Sequence, residues 1–209
     1  MKRGLAALVV VAAVFAPRVA RAHDDSFHDW DLFLLPGFSM APGFRACCLR
    51  ASDGTFLDIG VETSIHRFLP GPALAQVGYG ALVQAQVAGI AGEHETPDDL
   101  GTHGRFALGG QGTFSVLGLQ AGFVARTSSS RYATSMGPFA GAFLSVGVAS
   151  VGVQLDLPVV SAGEGTKMPV LFLVPITLKW FFHVDTRSGE VRSGFSSSGA
   201  SPWSTSSAR

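Results

Sequence analysis

The sequence predicts an all-β fold, an antiparallel up-and-down transmembrane β-barrel of eight strands. Three observations predict it. Segments with alternating apolar and polar residues recur along the chain, an export-type leader precedes them, and their connections alternate between short and long. Strict alternation gives a strand one apolar and one polar face. Outer-membrane barrels join such strands by short turns at one end and longer loops at the other.

Met1 to Ala22 reads as a signal peptide. Lys2 and Arg3 are a basic start, Leu5 to Ala16 is apolar, and Ala20-Arg21-Ala22 is a small-x-small cleavage site. The apolar stretch is too short to cross a bilayer as a helix. A mature chain would begin at His23, with 209 − 22 = 187 residues. The segment 23–37 reads as a mobile, acidic leader, 38–183 as the barrel, and 184–209 as a disordered polar tail rich in Ser and Gly.

The first strand is expected between about Phe38 and Leu49, interrupted by Pro42. The second, Leu57 to Arg67, alternates most clearly. Leu57, Ile59, Val61, Thr63 and Ile65 oppose Asp58, Gly60, Glu62, Ser64 and His66. In the third, Val77, Tyr79, Ala81, Val83, Ala85 and Val87 face away from Gly78, Gly80, Gln84 and Gln86. In the fourth, Phe106, Leu108 and Phe114 oppose Arg105, Gln111 and Thr113.

The fifth strand sets Leu117, Leu119, Ala121 and Phe123 against Gly118, Gln120, Gly122 and Arg126. Ser135 to Ser145, with Phe139 and Phe143, is the sixth. Val151 to Leu157 alternates with Gly152, Gln154 and Asp156 as the seventh. Met168 to His183 is the eighth, its outward series running from Met168 to Phe182 and opposed by Thr177, Lys179 and His183. Gly89 to His103, Thr127 to Thr134 and Val160 to Lys167 form the longer loops. Phe114 to Val116 and Val146 to Ala149 are the short turns.

Two other architectures fit parts of the pattern. A helical membrane protein would use Met136 to Val160, but Gln154, Asp156 and several glycines interrupt that stretch. A soluble barrel or sandwich would turn the apolar face inward. Its outer face would then normally carry more Lys and Glu than this polar series of Gly, Ser and Gln.

Composition narrows the function. Charged residues are 14% of the chain and Gly numbers 26. Loss of Lys2, Arg3, Arg18 and Arg21 with the leader leaves 15 − 4 = 11 basic against 15 acidic residues, a net of −4. That excludes nucleic acid as the expected partner. The two cysteines, Cys47 and Cys48, are adjacent, and a disulfide between neighbours closes a strained ring. They read as a small apolar pair or an intermolecular hazard, with a vicinal redox switch as the alternative.

With its leader, dyad-repeat segments, alternating loop lengths and aromatic Trp180, Phe181 and Phe182, the stretch from Phe38 to His183 resembles the small bacterial outer-membrane β-barrel proteins. The resemblance implies location in the outer membrane, contact with its lipid, and insertion by the barrel-assembly machinery, which reads an aromatic last strand. In that class the chain ends on the last strand, whereas a polar tail follows here.

The inward series supplies Asp58, Glu62 and Asp156 as acids and Arg105, Arg126 and Lys179 as bases, with Gln84, Gln86, Gln111, Gln120 and Gln154 between them. Three acids against three bases is what a closed lumen needs, because buried charges must be paired. The expected role is therefore structural, or interaction through the external loops. Glu62, Ser64 and His66 share one strand face and raise the alternative of a lipid-modifying acyltransferase or deacylase. A narrow small-solute channel is the third reading.

Glu93, His94, Glu95, Asp98, Asp99 and His103, and separately His23, Asp24, Asp25 and His28, carry metal-ligating groups without a fixed ligand spacing. No metal site and no cofactor is expected.

Overall fold

The computed structural model describes residues 31–45, 56–69, 77–88, 102–129, 132–186 and 189–193. Its strands are β1 (Asp31–Arg45), β2 (Phe56–Phe68), β3 (Val77–Ala88), β4 (His103–Phe114), β5 (Leu117–Arg126), β6 (Thr134–Val146), β7 (Ala149–Asp156), β8 (Val160–Ala162), β9 (Leu171–Leu173), β10 (Ile176–Lys179), β11 (Phe182–Asp185) and β12 (Val191–Ser193). Strands β1 to β7 pair in sequence order, each antiparallel to the next. Strands β9, β10 and β11 succeed one another along β1 as one broken wall. Both β9 and β10 also pair with β7, which closes an eight-walled antiparallel barrel.

The eighth wall is broken where Pro175 removes a backbone donor between β9 and β10. The Pro175 carbonyl still accepts from Gly152 N at 2.9 Å, which holds the break against β7. At one end, β4–β5 and β6–β7 are joined by the two-residue turns Ser115-Val116 and Gly147-Val148. Ser115 (φ 55°) and Gly147 (φ 59°) take the left-handed conformation that tight hairpins require. This is the turn end. The opposite, loop end is where β1, β3, β5 and β7 finish and β2, β4 and β6 begin.

Alternation decides the faces. Phe38, Val61, Ile65, Val83, Leu108, Leu119, Phe123, Val153, Leu178 and Trp180 are exposed, while Asp58, Gln84, Arg105, Arg126 and Asp156 are buried. Among the described residues, the outward positions of the eight walls carry one charged side chain, Arg67, near the turn end of β2. An eight-stranded barrel has an interior just wide enough for side chains to fill. Inward glycines let that interior close. A Cβ on Gly80 would collide with the Ile65 carbonyl, and one on Gly122 with the Leu108 carbonyl.

Several expectations shift. Strand β1 opens at Asp31, so 31–37 belong to the wall rather than to a leader; its described residues run to Arg45, and the expected end at Leu49 lies outside the described residues. Its inward residues Phe33 and Leu35 are themselves apolar, which hid the alternation. Beyond His183, β11 continues to Asp185, and β12 folds back to pair Val191 with Val184, so the supposed disordered tail contributes a hairpin. Met168 does not join the outward series; it is 2% exposed, in a cluster with Ala41, Phe56, Tyr132, Leu171 and Leu173. Met136 to Val160, the helical alternative, forms most of the β6–β7 hairpin. The signal peptide, Cys47 and Cys48, the acidic residues 93–99 and the N-terminal histidines lie outside the described residues.

Candidate functional site

The candidate site is the barrel interior. Near the loop end, β2, β4, β5 and β7 bring Asp58, Arg105, Arg126 and Asp156 together, each no more than 2% exposed. The third residue of β4, Arg105, donates through Nε to Asp156 Oδ2 at 2.9 Å and through NH2 to Asp156 Oδ1 at 3.2 Å, a two-point clasp. Its NH1 donates to Gln84 Oε1 and Gln86 Oε1, both at 2.7 Å. The last residue of β5, Arg126, donates through NH2 to Asp58 Oδ2 at 3.0 Å and to Asp156 Oδ2 at 2.9 Å. Gln154 completes the lattice by donating to Asp156 Oδ1 at 2.7 Å, and Gln120 donates to Gln154 at 3.0 Å.

Two contacts here carried no sequence signal. Arg126 NH1 donates to His103 Nε2 at 2.7 Å, and its guanidinium lies 5.5 Å from the centre of the Phe56 ring. His103 is thus the first, buried residue of β4 and part of the interior, not a ligand on an acidic loop. The cluster of Phe56, Tyr132, Met168, Leu171 and Leu173 sits over the lattice at the loop end. Arg45 donates to Tyr132 Oη at 2.6 Å and holds that cover to β1.

Nearer the turn end, Lys179 of β10 forms an ion pair with Glu62 of β2 and donates to Ser64 Oγ at 3.3 Å. Gln84 Nε2 donates to Glu62 Oε2 at 2.7 Å, and Gln86 Nε2 to Ser39 Oγ at 3.0 Å. The two regions form one network, in which Arg105 bonds Gln84 and Gln84 bonds Glu62. Every wall except β6 contributes to it.

Glu62, Ser64 and His66 do not assemble as a triad. Ser64 Oγ accepts a hydrogen bond from Lys179, whereas a nucleophile donates one to its general base. The His66 Nε2 pairs with the Gln111 amide, and its ring stacks on Phe68. Phe33, Phe68 and His183 continue this aromatic group toward the turn end, with centroids 5.3 Å apart in both pairs. Among the described residues, no three His, Cys, Asp or Glu side chains gather as a metal site.

Fold and interior together define a class: a small inside-out β-barrel, polar within and apolar without. No protein-family model matches the chain, and no curated protein matches it. Among solved structures the barrel is similar to Ail, the attachment invasion locus protein of Yersinia pestis. The match has 10% identity, covers 75% of this chain and 99% of that one, and has a TM-score of 0.37. The fold assignment rests on this chain's own strand pairing.

Proposed function

We propose that this chain is a barrel of the bacterial outer membrane with a sealed polar lumen, acting as a structural or interaction protein through its external loops. The observation that carries this reading is the inside-out distribution of side chains. Three carboxylates and three cationic groups are internal and mutually bonded, while Leu119, Phe123 and Leu108 are 68%, 74% and 63% exposed. Water would penalise that outer surface and a bilayer would reward it. In this orientation the turn end faces the periplasm and the loop end the exterior. Lipid of the outer membrane is then the wall's solvent, and the assembly machinery is its expected partner during insertion.

A sealed lumen favours this reading over a channel. The Arg105 and Arg126 lattice and the apolar cover above it occupy the cross-section with side chains that bond one another. The reading as a lipid-modifying enzyme lacks support from the geometry, because Ser64 and His66 are each held by a different partner. The test is reconstitution into planar bilayers. The proposal expects no steady conductance, and an ohmic current through the wild-type chain contradicts it.

A further inference from the structure

The broken eighth wall does not end with the barrel. From Asp31 to Leu34, β1 pairs with β11, and β11 pairs with β12 instead of with β7. Closure needs neither pairing, because β9 and β10 already join β1 to β7. The β11–β12 hairpin therefore carries one side of the wall past the turn end. This extension has two unlike faces. Leu32, Val184 and Val191 form one cross-strand row on the outer face, and Leu34 and Phe182 belong to the next. The inner face carries Phe33 opposite His183, followed by Asp185.

The register sets the depth of the outer face. Followed from Leu34 through β2 to β7 and across β9, cross-strand partners return to β1 at Phe44, a stagger of 44 − 34 = 10 residues. Eight strands with that shear tilt by about 40°. Each residue then climbs about 2.5 Å along the barrel axis, and each step from β1 toward β2 rises about 3 Å toward the loop end. On this scale the exposed aromatic residues Tyr79, Phe114 and Trp180 fall within about 3 Å of one level at the turn end. Leu32, Val184 and Val191 lie about 6, 9 and 12 Å beyond that level. Outward apolar residues thus span about 36 Å from Val191 to Phe44, against about 20 Å from Phe114 to Phe106 on β4.

Two opposed requirements fix where the hairpin sits. A lipid-facing band about 25 Å tall is too short for the taller side, yet the bilayer with both interfacial zones, about 40–45 Å, contains it. Val191 is 60% exposed and continues the lipid-facing wall, so water penalises its face. The sheet edge sets the other limit. Asp185 N donates to the Glu190 carbonyl at 3.0 Å, so one position on, the Val191 backbone groups point away from β11. Among the described residues β12 pairs with β11 alone, and an open sheet edge is not tolerated in hydrocarbon. A second copy cannot close that edge in the same membrane. Antiparallel pairing of two β12 strands puts the two-fold axis normal to the sheet, in the membrane plane, which inverts one barrel.

We propose that β11–β12 is an amphipathic interfacial anchor. The proposal rests on the outer-membrane reading. The outer face, with Leu32, Val184 and Val191, lies among the phospholipid headgroups of the leaflet at the turn end, and the inner face with Asp185 is turned to water. The anchor holds the β1 side of the barrel at a fixed depth.

The test is fluorescence depth-profiling in lipid. Cys47 and Cys48, the two native cysteines, are replaced by Ala, and Val191→Cys, Val83→Cys and Glu164→Cys are then made singly. Each is labelled with a nitrobenzoxadiazole fluorophore, checked for folding by its mobility on unheated gels, and reconstituted in phosphatidylethanolamine–phosphatidylglycerol vesicles. The quenchers are two nitroxide lipids, one labelled on the headgroup and one at mid-chain. The Val191 label is expected to be quenched at least about twofold more by the headgroup nitroxide than by the mid-chain one. The Val83 label, on the exposed middle of β3, should show the reverse, and the Glu164 label should emit as in water. Water-like emission at Val191 with Val83 still deep overturns the anchor and leaves the membrane reading intact. Quenching at Val191 as strong from mid-chain as from the headgroup also overturns it. Water-like emission at both positions overturns the two readings together. If Val191→Cys does not fold, Ser193→Cys carries the label on the same face and is judged by the same outcomes.

Discussion

Replacing Asp156 by Ala should cost more than any other single truncation in the interior. Its two carboxylate oxygens accept four hydrogen bonds, two from Arg105, one from Arg126 and one from Gln154. Asp58 accepts from Arg126 at 3.0 Å and stands 3.7 Å from Arg105, so it cannot hold both guanidinium groups as well. Truncation leaves two cations facing one carboxylate in a site about 1% exposed. Removing one partner of a buried ion pair costs about 3–5 kcal/mol, roughly two to four powers of ten in the folding equilibrium.

The assay is urea unfolding of the refolded barrel in detergent or lipid, with the slope compared between variants so that a midpoint shift reads as stability. Glu164→Ala removes the same charge from an exposed loop position and serves as the control, expected to leave the midpoint in place. A double-mutant cycle with Arg126→Ala should show strong coupling, since the two residues touch. A loss below about 1 kcal/mol for Asp156→Ala, within the range of an ordinary surface change, would refute the view that the lattice holds the barrel together.

Other outcomes follow from the same geometry. Phe123→Arg, at a 74% exposed outward position, should lose about 2–4 kcal/mol in a bilayer, as charges facing lipid do near the midplane; equal stability of the two proteins in lipid would contradict a lipid-facing wall. Gly80→Val should fail to close the β2–β3 pairing, because its Cβ meets the Ile65 carbonyl, and a variant with native gel mobility would contradict this. Ser64→Ala and His66→Ala should leave the cell's lipid profile unchanged; a missing lipid species in either strain would revive the acyltransferase or deacylase reading. Tyr132→Phe removes the acceptor of the 2.6 Å bond from Arg45 and should cost about 1–3 kcal/mol, read by the same urea titration.

Much of the wall was legible because alternation is a local property. Residues Leu57 to Arg67 show both faces plainly, and β5 begins and ends where its pattern does, at Leu117 and Arg126. The pattern fails where the interior is apolar. Phe33 and Leu35 in β1 point inward yet look like the outer face, so they read as leader; Leu171 and Leu173 in β9 fall on the inward side by parity, but their apolar character blurs the alternation there. Asp58, Arg105, Arg126 and Asp156 could be assigned to the interior by parity alone. Which of them meet depends on strand register, and register is a long-range property. His103 bonding Arg126 and Phe56 lying under that guanidinium follow from register too, and no spacing in the chain announces either. The pairing of Lys179 with Ser64, 115 positions apart in sequence, belongs to the same category.

The central claim is that this barrel is built for a bilayer, and membrane fractionation with heat-modifiability tests it most directly. The full chain expressed in a Gram-negative host should sediment with the outer membrane and resist extraction by carbonate. It should also run at a different apparent mass on a gel before and after boiling, as a detergent-resistant barrel does. Recovery of folded protein from the soluble periplasmic fraction, with no difference on boiling, would contradict the account.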